Sequence, residues 1–296
     1  MRKKSIKCLI FLSLLFCAYI LSLLLIPSVD AKEKRVLGYK RSDNKNLDIV
    51  CVGNSDLYSG YVPSIIYEKY GYLSYNCGKS QVSLNQVYDY TKNIFEYQKP
   101  ELLILEVDCL TFKGKKKPNK AYSNVYHNHD FWKQKYPKDI IELKGYVFSD
   151  KIVPPLDEKN DKDVKKHDIK IKKEKFDIVK NIKKLCDENN TKLMLLELPS
   201  YTSWTKKLHD QIESFSNEEN IDFLDLNFSD EFVNEYGYDP NHDFRDGGNH
   251  LNVYGATKAT NLIGNYIQKY NITPNEGNES FEKAVELFNE KMSKIS

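Results

Sequence analysis

Five short apolar runs, at residues 47–53, 73–78, 102–107, 192–198 and 221–226, alternate with stretches of helical spacing, and this alternation limits the fold most. Each run is short for a helix and too continuously apolar for a half-exposed strand. It therefore reads as a strand covered on both faces. Between them, Val62–Tyr70 has helical spacing, with Pro63 near its start and Gly71 after its end. Leu84–Tyr97 carries a one-sided stripe of Leu84, Val87, Tyr88, Thr91, Ile94 and Phe95, and Pro100 follows. Further helices are expected over 176–189, 204–215 and 256–270, and a terminal one, weakly tied to the rest, over 281–292. Strand and helix in alternation specify a three-layer α/β/α sandwich around a central, mostly parallel sheet. The 102–107 run is apolar enough to lie at its centre.

The N-terminus follows different rules. Arg2, Lys3, Lys4 and Lys7 precede an uncharged apolar run from Cys8 to Pro27, about the length of one membrane crossing. The basic flank is expected in the cytoplasm and the remainder outside. Val29-Asp30-Ala31 offers a cleavage site, but the length of the run favours an uncleaved anchor over a signal peptide. The expected organisation is an anchor over 1–31, a polar linker over 32–46, the α/β domain over 47–270 and a helical tail over 271–296. An insertion at about 110–172 interrupts the domain. Its Tyr122–Trp132 stretch is aromatic enough to pack as a lid, and the charged 157–175 stretch reads as solvated. Of six cysteines, Cys8 and Cys17 belong to the apolar segment; Cys51, Cys77, Cys109 and Cys186 read as small buried hydrophobes, and their spacing fits no zinc motif. A net charge of +2 on 296 residues supplies no reason to expect a nucleic-acid partner.

Two polar blocks stand at opposite ends of the domain. Gly53-Asn54-Ser55-Asp56 cuts off the first strand, where open α/β sheets place ligands, and Asp246-Gly-Gly-Asn-His250 precedes the 256–270 helix. A serine hydroxyl needs a base, imidazole titrates near neutral pH, and a carboxylate orients the ring. Ser55, His250 and Asp246 are thus candidate nucleophile, base and orienting acid. Asn249 and Asp243 are rivals for the contact to His250. Each residue has a plainer reading: Ser55 as a helix cap, His250 as packing at a helix start, Asp246-Gly-Gly as a turn, Asn252 as a cap. Trp204 is read as packing, with a sugar contact as its alternative. His127, His129 and Asp130, with His242 and Asp243, form a rival metal-ligand set. The favoured reading has no metal and no cofactor.

These blocks resemble those of the SGNH/GDSL hydrolases over roughly residues 47–270, with chain order Ser…Asp…His and a His250-Leu251-Asn252 ending. The resemblance is closest to the membrane-anchored extracytoplasmic branch, which includes DltD-like and alginate-acetylation proteins. It implies an esterase or O-acyltransferase acting on a cell-envelope polysaccharide or another acyl ester, with a multispanning membrane acyltransferase as partner in the transferase case. There are two departures. Asp246 lies four residues before His250, where the family has three, and Gly247 and Gly248 can let the loop bulge. The family's Gly-x-Asn-Asp block is replaced by Glu106-Val107-Asp108. The oxyanion hole then falls to the amides of Ser55 and Gly78 and the Asn76 side chain, which implies a slow, specialised enzyme. The alternative is a non-catalytic surface protein that keeps the fold and binds glycan or a membrane partner.

Overall fold

The computed structural model describes residues 2–25, 35–44, 46–112, 142–155, 170–201 and 203–295. The expected lid at Tyr122–Trp132, with His127, His129 and Asp130, and the cleavage site at 29–31 lie outside the described residues. So does most of the charged 157–175 stretch. Helix α1 spans Arg2–Leu25 and forms a unit separate from the domain. It is long and apolar enough to be a membrane anchor or a signal sequence.

In the domain the strands are β1 (Ile49–Val52), β2 (Ser74–Asn76), β3 (Leu102–Glu106), β4 (Lys192–Glu197) and β5 (Asp222–Asp225). They form one parallel sheet in the order β2-β1-β3-β4-β5. The helices are α2 (Ser55–Gly60), α3 (Pro63–Tyr70), α4 (Leu84–Tyr97), α5 (Lys173–Glu188), α6 (Lys206–Glu219), α7 (Asp230–Asn234), α8 (Val253–Ile267) and α9 (Glu279–Ser293). Strand periodicity divides the core. Val50, Val52, Leu103, Leu105, Leu193 and Leu195 join the cluster under α4, α5 and α6, whereas Ile49, Cys51, Leu102, Ile104, Met194 and Leu196 join the one under α3 and α8. The α/β/α sandwich is therefore present, with β3 at the centre. The helix boundaries have local causes. Ser83 and Gln86 form a capping box at the start of α4, Pro63 opens α3, and Gly71 closes it at φ 71°.

Two expected segments are placed differently. Residues 35–44 of the expected linker are part of the domain, because Val36 and Tyr39 are buried in the α4 side of the core. The terminal helix is also firmly attached, not weakly tied. Phe281, Ala284 and Phe288 are buried, Ser64 Oγ donates to the Ala284 carbonyl, and the Phe281 ring lies 5.4 Å from that of Tyr67. Both tie-downs join segments far apart in the chain, so local spacing carried no sign of them. The short α2 and α7 were not anticipated.

Candidate active site

With strand order 2-1-3-4-5, the chain reverses direction across the sheet between β1 and β3, and the crevice at their carboxyl ends is where such sheets bind ligands. Ser55 sits there as the first residue of α2. The capping role is taken by Asn54, whose side-chain oxygen accepts from the Ser55 amide at 2.5 Å and from Ser55 Oγ at 3.2 Å. The turn is held from β3. Glu106 accepts the amide protons of Asn54 and Asp108, both at 2.7 Å, and Asn54 Nδ2 donates to Asp108 at 2.8 Å. Gly53 is required for this approach, since a Cβ there would lie 2.5 Å from Glu106 Cβ.

The second half of the site is the loop before α8. Gly247 and Gly248 both have left-handed φ, +80° and +97°, and the loop doubles back so that Asp246 meets His250 across the four-residue spacing. Asp246 accepts from the His250 amide at 2.7 Å and from the ring Nδ1 in a short hydrogen bond. Burial pushes the Asp246 carboxyl up, but those hydrogen bonds and the charges of His250 and Arg245 outweigh it and hold the group below the usual carboxylate range. Because a carboxylate only accepts, the ring proton belongs on Nδ1 and the lone pair on Nε2. Nε2 faces the α2 start, 3.7 Å from Asp56 Oδ1. The Tyr58 ring lies nearly parallel to the imidazole, with centroids 6.4 Å apart.

The rivals resolve by their contacts. Asp243 is wholly buried and pairs with Lys258 at 2.8 Å. Asn249 brings its amide nitrogen to 3.0 Å from Nδ1, but an N–H cannot accept the ring proton. Asn252 caps α8, accepting from the amides of Tyr254 and Gly255. Trp204 is buried, and its indole N–H donates to Asp225 at 2.7 Å. The ring of His242 lies against Tyr254.

The expected oxyanion donors are engaged elsewhere. Asn76 donates to the Leu57 and Tyr61 carbonyls at 2.8 and 2.9 Å, and its oxygen takes the Gly78 amide at 3.0 Å. Asn76 thereby braces α2 against β2. No hydrogen bond joins Ser55 to His250 among the described residues. The described part of the insertion, 142–155, straps the site together: Val147 N donates to the Tyr58 carbonyl, Val153 N to Phe244, and Gly247 N to Val153.

Sequence reasoning passed over Asp56 and Glu197, and treated Glu106 and Asp108 only as the replacement for a missing block. The available signal was the placement of ionisable residues at the carboxyl ends of otherwise apolar strands.

No family model matches the sequence, and no curated protein does. Solved structures similar to this chain include a GDSL-like lipase from Bacteroides thetaiotaomicron, 14% identical with a TM-score of 0.42, covering 82% of this chain and 99% of that one. Another is a family 3 carbohydrate esterase from Clostridium thermocellum, 14% identical with a TM-score of 0.41, covering 76% and 96%. At this identity and these TM-scores they assign no activity to this chain.

Proposed function

We propose that this protein carries out serine-dependent acyl-ester chemistry, as an esterase or O-acyltransferase. The observation that carries the reading is the Asp246–His250 pair, which leaves the Nε2 lone pair facing the turn that presents Ser55. Ser55 Oγ attacks the ester carbonyl and its proton passes to Nε2. The tetrahedral intermediate collapses, the leaving alcohol takes that proton, and an acyl-serine remains. Water or a sugar hydroxyl then attacks the acyl carbon as His250 takes its proton, the bond to Ser55 Oγ breaks, and His250 returns that proton to Oγ, releasing the acid or the new ester. The Ser55 amide is the oxyanion donor closest to the reaction. It must leave Asn54 Oδ1 to serve, and Asn76 and Gly78 are occupied, so turnover is slow without a partner or substrate to open the site.

The apolar α1 and its basic flank support an anchored domain on the outer side of the cytoplasmic membrane. There the acceptor would be a cell-envelope polysaccharide, and in the transferase case a multispanning acyltransferase would deliver the acyl group. A second reading, a non-catalytic binding protein, draws support from the Ser55 hydroxyl contacting Asn54 instead of His250.

The test incubates full-length protein in detergent, wild type and Ser55→Ala, with p-nitrophenyl acetate, and reads intact mass. An acetyl adduct on wild type alone, with unchanged circular dichroism, is expected. Equal background in both proteins would remove Ser55 as nucleophile and favour the binding reading.

A further inference from the structure

Ser55 and His250 stand on separate elements, so their spacing depends on what joins those elements. Ser55 opens α2, whereas Asp246 and His250 belong to the 239–252 loop. Among the described residues one hydrogen bond joins that loop to α2: Arg245 Nη2 donates to Ser59 Oγ at 2.9 Å. The stem of the loop places the arginine. Phe244 and Leu251 pair in an antiparallel bridge, and the Arg245 amide donates to the His250 carbonyl at 3.0 Å. Residues 245 and 250 therefore face each other across the stem, with both side chains on one side of it.

Ser59 carries the contact on to the nucleophile. It is wholly buried, four residues after Ser55, and its hydroxyl donates to the Ser55 carbonyl at 2.8 Å. Guanidinium, hydroxyl and carbonyl form one chain that ends on Ser55 itself. A charged donor strengthens such a chain, because each bond polarises the next. The arginine also lies beside the base: its Cζ is 5.7 Å from the centre of the Tyr58 ring, which runs nearly parallel to the imidazole. Among the described residues no carboxylate forms an ion pair with Arg245, although its charge acts on Asp56 and Asp246. The hydrogen bond to Ser59 is thus the contact that holds the guanidinium.

We propose that Arg245 is a positioning residue, which sets the approach of Ser55 to His250 by tying the loop to α2 through Ser59. That role rests on the reading of Ser55 as nucleophile. Helix α2 has only six residues, so it has few internal hydrogen bonds to fix its first turn. The tie supplies that turn with a charged anchor from the element that carries the base. Its value to the reaction lies in geometry, since a misplacement of about 1 Å in a reacting group can cost about a hundredfold in rate. A lysine could carry the charge, but it lacks the planar fork that holds a fixed direction toward Ser59.

The test compares full-length wild type, Ser59→Ala, Arg245→Met and the double variant in detergent. It measures the rate constant and the half-saturating concentration for fluorophosphonate labelling of Ser55, and amide hydrogen exchange over 55–61 and 244–252. Ser59→Ala keeps the arginine's charge and cuts the tie. The expected result is a fall of about 10- to 100-fold in the rate constant of each single variant, no further fall in the double variant, and an unchanged half-saturating concentration. Simple loss of folded protein would lower the labelled fraction instead of the rate constant. Both segments should exchange faster in each single variant. A wild-type rate in Ser59→Ala beside a slow Arg245→Met would mean that the arginine acts by charge alone, and would overturn the proposal. Additive losses would overturn it equally. A wild type that takes no label would remove Ser55 as nucleophile, and exchange would then decide the tie by itself. Unchanged exchange in both segments overturns the tie in either case.

Discussion

Asp246→Asn isolates the orienting acid with almost no change of shape. Asp246 accepts two hydrogen bonds from His250, one from the backbone amide and one from the ring. An asparagine has one accepting oxygen, so whichever way its amide turns, one of these bonds is lost. If the oxygen keeps the backbone bond, an NH2 faces the ring, and the proton moves from Nδ1 to Nε2. The base then points a proton at the serine. A charge-assisted hydrogen bond contributes about 1.5–3 kcal/mol, and each 1.4 kcal/mol is a factor of ten in rate. The Asp246 side chain is 40% exposed, so solvent screens part of its charge and the lower half of that range applies. The expected effect is a fall of about 10- to 40-fold in the second-order rate at which a fluorophosphonate probe labels Ser55 at neutral pH. The assay uses full-length protein in detergent and circular dichroism to show an intact fold. Labelling of Asp246→Asn at the wild-type rate, with the wild type clearly labelled, would refute the orienting role.

Other consequences are equally direct. Gly248→Ala would put a methyl 2.7 Å from Tyr201 Cβ at φ +97°, whereas Gly247→Ala meets nothing within 4 Å. Gly248→Ala should therefore lose both stability and Ser55 labelling, and Gly247→Ala should lose only about 1–2 kcal/mol of backbone strain in chemical denaturation; equal losses would deny the close packing. Lys144 is 2% exposed and donates to Asn44 and Ser280, and burial lowers its pKa to about 8 from 10.5. Between these values the unfolded chain holds a proton that the folded chain has lost, so the Lys144 contribution to stability rises with pH across that window, by up to about 3 kcal/mol. Urea unfolding of wild type against Lys144→Met from pH 8 upward should show this slope in the wild type alone; parallel curves would mean that Lys144 stays charged.

The sequence by itself determined the alternation of strands and helices, because each element carries its own periodicity and punctuation. Leu84–Tyr97 is bounded by a capping box and a nearby proline, and the apolar strands have no polar face to expose. It offered Asp246, Asn249 and Asp243 as partners for His250, and the folded loop, reversing at its two glycines, brings Asp246 to the ring. Only tertiary structure decided what depends on residues distant in the chain. Asn76 was legible as a donor near the first strand, but its protons go to the Leu57 and Tyr61 carbonyls, a choice set by how α2 packs on β2. Segment 35–44 and helix α9 looked peripheral because their few apolar residues find cover only after the sheet has formed. The meeting of Asp56, Glu106 and Asp108 is of the same kind. Each acid alone resembles an ordinary strand-end residue, and parallel pairing of β1 and β3 gathers them under one serine.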